Sequence, residues 1–190
     1  MFELTIRLMR RTSPVLDARR HYAGLRLLAL LPLVLFLPAV IAFFTDPDVA
    51  WGEYLGVFFH LSILFLVSRL EAAPWAKAAG YGWVVLDVLA GILMINAVEY
   101  DTAWAVRLGG HVLAGVWIVA SSLVSRSWPV RVVGVVTGVW LAGYSFVGTL
   151  LAEEFLRPAG IMILVWFALL AIFHRDDPGH PAAPTIPAPA

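Results

Sequence analysis

Two short segments of the sequence place charged side chains and imidazoles at helical spacing. Arg107 and His111 lie four residues apart in "RLGGHVLAGVW", and Glu53 and His60 lie seven residues apart. Residues at these separations share one face of an α-helix. Carboxylate, guanidinium and imidazole groups that converge in a pocket bind small polar ligands, and imidazole exchanges protons near neutral pH. These four residues therefore predict a site for a polar solute, an ion or a proton.

Motifs of known catalytic sites are missing from the sequence. With no cysteine, the chain has no thiolate nucleophile, iron–sulfur cluster or thiolate zinc site. It contains no H-E-x-x-H, no G-x-S-x-G and no glycine-rich phosphate-binding loop. No histidine stands beside Ser121, Ser122 or Ser145 to activate a hydroxyl. We predict no catalytic residues and no metal site, which leaves an enzyme open but disfavoured.

The composition indicates that a lipid bilayer surrounds these residues. Hydrophobic residues make up 61% of the chain, whereas about 45–50% is usual for a globular domain. The formal net charge is zero, so no basic field would gather nucleic acid. Arginine predominates strongly over lysine in an Ala-, Gly-, Val- and Leu-rich chain, which is typical of a GC-rich bacterial genome. We expect a membrane as partner, and no nucleic acid.

Six segments meet or approach the length of about 20 apolar residues that a helix needs to cross the hydrocarbon core. They are 25–44, 51–69, 81–98, 103–124, 130–151 and 158–174. None alternates apolar and polar residues as barrel strands do, so we predict an all-α bundle of six transmembrane helices. Residues 1–24 are predicted as a cytoplasmic, interfacial N-terminal segment, and the Pro/Ala-rich residues 175–190 as a disordered cytoplasmic tail.

Charge asymmetry between the loops predicts the orientation. Eleven of the 13 Lys and Arg residues lie in the N-terminal segment, the loops after the second and fourth spans and the tail, or at the span ends that adjoin them. The alternate loops carry the acidic residues Asp46, Asp48, Glu99, Asp101, Glu153 and Glu154. Since Lys and Arg collect on the cytoplasmic side, both termini are expected there, in a bacterial cytoplasmic membrane.

The predicted topology and the rise of an α-helix together give the depth of each residue in the membrane. At a rise of 1.5 Å per residue, His60 lies about 14 Å and His111 about 12 Å below the outer surface. Asn96 and Glu99 lie near the outer end of the third span, and Tyr144 lies in the outer half of the fifth. Where the helix faces that carry these residues are turned toward one another, they would enclose a pocket that opens outward. The predicted ligand-binding residues are Glu53, His60, Asn96, Glu99, Arg107, His111 and Tyr144.

Asp87 is expected to stand apart from this set. It falls in the cytoplasmic half of the third predicted span, where it is either a structural residue, protonated or reaching toward the interface, or a proton relay. Gly109 and Gly110 leave room beside His111 for a ligand or for another helix.

Small residues in the fifth span form a ladder at four-residue spacing. Gly134, Gly138 and Ala142 permit close approach of a neighbouring helix. We expect packing within the bundle rather than a dimer interface.

Several functions stay open at this point. The preferred interpretation is binding or transport of a small polar solute, ion or proton through the outward-facing pocket. One alternative is a non-catalytic accessory subunit or scaffold that binds a membrane protein or a second copy of the chain. Another is a b-type haem protein with His60 and His111 as axial ligands. In a purely structural alternative, Arg107 pairs with Glu53 or Glu99 and holds helices together.

Overall fold

The protein is described by a computed structural model that covers residues 14–46 and 49–173. Six α-helices follow one another: α1 (Pro14–Thr45), α2 (Ala50–Arg69), α3 (Pro74–Ile95), α4 (Tyr100–Val124), α5 (Trp128–Val147) and α6 (Arg157–Phe173). A short 3-10 helix, Glu153–Leu156, precedes α6. Residues 175–190, predicted as a disordered tail, and residues 1–13 of the predicted interfacial segment lie outside the described residues, so both stay predictions.

The first five helices, and α6 together with the 3-10 helix before it, each include a stretch that is long and apolar enough to cross a membrane. The all-α six-helix bundle is therefore confirmed, and the chain fits a multi-pass membrane protein. The third helix differs from its prediction, since it begins at Pro74 and not at residue 81. Proline is favourable in the first turn of a helix, where its missing N–H costs nothing. Lys77 lowers the local hydropathy, yet its ammonium group donates to the Ser68 carbonyl at 3.2 Å.

Helices that are consecutive in sequence pack side by side from α2 to α6. This arrangement is expected when short loops join antiparallel helices. The part of α1 within the bundle contacts both α2 and α6. Phe36 stacks on Phe59 with 4.2 Å between ring centroids, and Arg157 lies with its guanidinium 5.5 Å from the Phe43 ring centroid.

Large aromatic side chains form the centre of the bundle. Trp83, Trp117 and Trp166 are almost fully buried. The Trp83 and Trp117 ring centroids are 5.8 Å apart, and those of Trp117 and Trp166 are 5.6 Å apart. Because a buried indole N–H needs an acceptor, Trp166 Nε1 donates to Ser122 Oγ at 2.9 Å. This row of rings joins α3, α4 and α6.

The small-residue ladder packs within the bundle, as predicted. A Cβ atom added at Gly138 would lie 2.7 Å from the Gly115 carbonyl oxygen, and one added at Gly115 would lie 2.7 Å from Ala142 Cβ. Real Cβ atoms do not approach so closely, so α4 and α5 meet backbone to backbone here. This contact fixes the position of α4, which carries Arg107 and His111.

Candidate functional site

A cavity of about 450 Å³ lies between the helices in one half of the bundle. Its wall includes Val49, in the loop after α1, and Glu153, at the start of the 3-10 helix after α5. The wall continues to Asp87 and Trp83 inside α3. We name this end of the bundle, formed by the loops after α1, α3 and α5, the acidic end. The cavity therefore extends from the acidic end to the middle of the bundle.

Asp87 lies at the inner part of this cavity with its side chain fully buried. Its Oδ2 atom is 3.7 Å from His60 Nε2, and its Oδ1 atom is 3.7 Å from His111 Nε2 and 3.8 Å from Arg107 Nε. These distances exceed normal hydrogen-bond lengths. Neither carboxylate oxygen has a hydrogen-bond partner among the described residues. Asp87 is thus close to these three groups but bonded to none of them. The indole N–H of Trp83, one turn earlier on α3, lies beside the same carboxylate and is likewise without a bonded acceptor.

A carboxylate that is buried without a hydrogen bond is costly in an apolar bundle, and the guanidinium 3.8 Å from Asp87 is already paired with Glu53. Burying an ionised carboxyl without a compensating charge or hydrogen bond loses its solvation, so such groups either bind a proton or acquire a cationic partner. Native structures leave few buried polar groups unbonded, and those few often have a role. The carboxylate of Asp87 is therefore the group in this cavity that most needs a further partner.

The terminal nitrogens of Arg107 form hydrogen bonds with Glu53 and not with Asp87. Its Nη2 donates to Glu53 Oε2 at 2.6 Å and its Nη1 donates to Glu53 Oε1 at 3.2 Å. Two parallel bonds between guanidinium and carboxylate are the strongest form of this interaction. The pairing of Arg107 with Glu53, one of two predicted alternatives, is confirmed. It joins α4 to α2 across the cavity wall.

The hydrogen bond of His60 fixes which of its ring nitrogens carries the proton. His60 Nδ1 lies 2.7 Å from the Gly56 carbonyl oxygen. Because a carbonyl only accepts, Nδ1 is the donor, and in the neutral ring Nε2 carries a lone pair. That lone pair faces the Asp87 carboxylate, which is also an acceptor. Two acceptors facing each other at 3.7 Å leave a place for a proton or a cation between or beside them.

Gly110 makes room for the carboxylate of Asp87. A Cβ atom added at Gly110 would lie 2.6 Å from Asp87 Oδ2 and 3.1 Å from its Cγ. At the neighbouring Gly109 the nearest atom would be Leu86 Cδ1 at 3.6 Å, an ordinary contact. The space beside His111 therefore accommodates a side chain of the neighbouring helix α3.

The prediction that Asp87 stands apart was wrong. It rested on a third span that begins at residue 81, whereas α3 runs from Pro74 to Ile95. Asp87 is eight residues from the acidic end of this helix, or about 12 Å at 1.5 Å per residue. This is close to the depth of His60 and His111. The proline that begins α3 is the signal that would have corrected the depth.

Of the seven predicted ligand-binding residues, the cavity brings together Glu53, His60, Arg107 and His111. The other three do not line it. Asn96 is exposed and donates to the Ile92 carbonyl of its own helix at 2.8 Å. Glu99 is exposed and accepts a bond from Thr102 at 3.3 Å. Tyr144 is buried among neighbours in the core.

Aromatic side chains form much of the remaining wall, and sequence reasoning did not assign them to the site. They are Phe36, Phe43, Phe59, Trp83, Tyr100 and Trp104. Tyr100 and Trp104 lie near the outer end of the fourth predicted span, where aromatic rings commonly anchor a helix at the membrane interface. The signal that could have identified them is their spacing, since Trp104 is seven residues from His111 and Trp83 is four from Asp87.

Near the acidic end, Tyr100 contacts both Glu153 and Trp104. Tyr100 donates its hydroxyl hydrogen to Glu153 Oε2 at 2.9 Å. Its ring stacks on Trp104, with 6.0 Å between centroids and 11° between planes. This contact connects the start of α4 to the 3-10 helix before α6.

Metal binding was not predicted, and among residues 14–46 and 49–173 no group of three or more His, Asp and Glu side chains is arranged to hold a metal ion. Comparison of the chain with known protein families, with curated proteins and with solved structures finds no match. The functional conclusion therefore rests on the chemistry of the cavity.

Proposed function

We propose that the protein binds or transports a small polar solute, ion or proton at the cavity between its helices, and that Asp87 is the proton-accepting group of this site. The observation that carries the proposal is the fully buried Asp87 carboxylate, which faces two imidazoles and a guanidinium without a hydrogen bond. A residue that only holds helices together would be expected to make its bonds directly, as Glu53 and Arg107 do.

We also propose that the cavity is reached from the extracytoplasmic side of a bacterial membrane. The loops at the acidic end carry Asp and Glu, while most Lys and Arg residues lie in the N-terminal segment, the alternate loops and the tail. By the asymmetry of Lys and Arg, the acidic end faces outward. A solute would then enter past Tyr100 and Glu153 and meet Asp87 at the inner part of the cavity.

Each polar residue has a distinct part in this proposal. The Arg107–Glu53 pair holds α2 and α4 at a fixed separation and keeps a positive charge near Asp87. His60 is held in one tautomer by Gly56, and His111 approaches Asp87 from the opposite oxygen. Protons can pass between imidazole and carboxylate groups at small displacements of either side chain.

Two alternatives from the sequence remain predictions. Axial ligation of a haem iron by His60 and His111 would require both Nε2 atoms to turn away from the Asp87 carboxylate that they now share. An accessory subunit or scaffold would need no buried, unbonded carboxylate in a cavity. The solute site therefore accounts for more of the observed geometry.

The test uses the fact that the chain has no cysteine. Gly56 lines the cavity, and a Cβ atom there would meet nothing within 4 Å. Gly143 has equal room but is exposed on the outside of the bundle, where lipid surrounds it. Single variants Gly56→Cys and Gly143→Cys are treated with a membrane-impermeant methanethiosulfonate reagent in right-side-out vesicles.

Gly56→Cys is expected to react at least about tenfold faster than Gly143→Cys, because the reactive thiolate forms in water and not in lipid. Solutes that occupy the cavity should slow the reaction at Gly56→Cys only. Equal rates at the two positions would show that the cavity is not an aqueous site. Labelling of Gly56→Cys from the cytoplasmic side alone would reverse the proposed orientation.

A further inference from the structure

We propose that the solute is an organic ammonium ion, and that it exchanges with a proton at Asp87. This inference rests on the proposed function, because it names the chemical class of ligand for the same cavity. It follows from the charges on the cavity wall, from the His60 lone pair beside Asp87, and from the aromatic side chains that complete the wall.

The cavity wall carries more carboxylates than cations. Three acidic side chains line it, Glu53, Asp87 and Glu153, against one guanidinium, that of Arg107. Glu53 is paired with Arg107, and Glu153 accepts a hydrogen bond from the hydroxyl group of Tyr100. The one carboxylate left without a bonded partner among the described wall residues is Asp87. A cationic ligand would supply the charge that this wall lacks.

Groups from three helices face Asp87, and the indole N–H of Trp83 on α3 is one of them. From α2, His60 presents the lone pair of Nε2, since its Nδ1 donates to Gly56. From α4 come the Nε2 atom of His111 and the Nε atom of Arg107. An anionic ligand would compete with Glu53 for Arg107, whose two terminal nitrogens are occupied, and would lie beside an unbonded carboxylate.

Aromatic rings complete a surface suited to an alkylammonium group. Phe59 and Trp83 lie beside His60, with ring centroids 4.6 Å and 5.6 Å from its own. Trp104 lies on the other side, 6.3 Å from the His111 ring. The face of an aromatic ring attracts a cation, and quaternary ammonium ions are recognised by several such rings together. A volume of about 450 Å³ has space for a small organic ion of this kind.

In the proposed exchange, a proton leaves Asp87 when the ammonium ion enters the site. In the empty site a proton on Asp87 removes the cost of a buried charge. When the ammonium ion enters, the O–H bond of the carboxylic acid breaks, its electron pair stays on the carboxylate, and the proton leaves through the cavity to water. The carboxylate and the ammonium ion then form an ion pair. One proton leaves as one cation enters, so the net charge of the site is the same before and after.

The experiment uses three probes of nearly the same shape and different charge. They are choline, dimethylbutanol, in which carbon replaces the quaternary nitrogen, and the anion dimethylbutanoate. Binding to the purified full-length protein in detergent is measured by calorimetry in two buffers of different ionisation enthalpy, which also counts the protons released. Asp87→Asn removes the charge of the proposed site, and Asp101→Asn, at an exposed position outside the cavity, is the matched control.

We expect choline to bind at least about tenfold more tightly than dimethylbutanol, with dimethylbutanoate weakest, and with release of about one proton per choline. In Asp87→Asn the preference for choline over the alcohol should fall to about onefold and proton release should vanish, while Asp101→Asn behaves as the unchanged protein. The comparison of probes on the unchanged protein needs no variant, so a folding defect in Asp87→Asn would not prevent the test.

Several results would overturn the inference. If the alcohol or the anion binds as tightly as choline, the ligand is not selected as a cation, although the cavity would still be a binding site. If choline binds without releasing a proton, the exchange at Asp87 does not occur. If none of the probes binds, the inference is wrong, and accessibility of Gly56→Cys decides separately whether the cavity is an aqueous site.

Discussion

Substitution of Gly110 tests the packing that places Asp87 in the cavity. In Gly110→Ala the new methyl group would lie 2.6 Å from Asp87 Oδ2 and 3.1 Å from Cγ, so the carboxylate must move away from α4. In Gly109→Ala the methyl group makes an ordinary contact at 3.6 Å with Leu86. Both changes replace glycine by alanine in the same turn of the same helix, and they differ in what the methyl group meets.

The expected difference follows from two effects. Overpacking of a filled site costs about 1–3 kcal/mol of folding free energy. Replacing glycine by alanine inside a helix is worth up to about 1 kcal/mol, and this gain applies equally to both variants. The helical gain cancels in the comparison. Gly110→Ala should therefore be less stable than Gly109→Ala by about 1–3 kcal/mol.

The assay is reversible unfolding of the purified protein in mixed micelles, followed by tryptophan fluorescence. A double-mutant cycle then assigns the cost to Asp87. Removing the carboxylate in Asp87→Ala removes the clash, so adding Gly110→Ala to that background should cost about 1–3 kcal/mol less than it does alone. The same cycle with Gly109→Ala should show coupling near zero.

Two results would refute this reasoning. Equal stabilities of Gly109→Ala and Gly110→Ala would mean that the Asp87 carboxylate does not lie against Gly110. Additive effects of Gly110→Ala and Asp87→Ala would mean that the cost arises from another contact, for which the Leu86 Cβ atom, 3.3 Å from the added methyl group, is the candidate.

Two further predictions concern the packing around the site. Glu53→Ala should destabilise the protein by about 1–3 kcal/mol because it removes two charged hydrogen bonds of the partly buried Arg107. The double variant Glu53→Ala/Arg107→Ala should cost less than the sum of the single variants, and additive costs in unfolding experiments would contradict a direct pair. Gly115→Ala should cost about 1–3 kcal/mol because its methyl group would meet the backbone of α5. Gly143→Ala, which meets nothing within 4 Å, is its control and should change stability by no more than about 0.5 kcal/mol in the same assay; a similar loss in both variants would argue against close contact of α4 and α5.

The fold class and the number of spans could be predicted because the bilayer imposes them locally. A helix that crosses a membrane must satisfy its own backbone and present apolar side chains over a fixed length, so each span is recognisable without knowing its neighbours. The ion pair of Arg107 was predictable for a similar reason, since a guanidinium at that depth needs a carboxylate and few are within reach. The sharing of one face by Arg107 and His111 follows from helical periodicity.

The composition of the site depended on tertiary packing. Contacts with other helices decide how a helix is rotated about its axis and where it begins. Hydropathy gives neither of these. Asn96 and Glu99 are at suitable depths but are exposed and do not line the cavity. Asp87 lies within it because α3 begins at Pro74 and because Gly110 of α4 leaves room for its carboxylate.

The sequence by itself therefore determined that lipid surrounds the chain, that it forms six helices, and which residues need polar partners. Each of these follows from short segments of chain. Only the tertiary structure decided that two imidazoles and a guanidinium converge on one carboxylate. That convergence joins α2, α3 and α4, and it depends on the close approach of α3 and α4 at Gly110, which no single helix specifies.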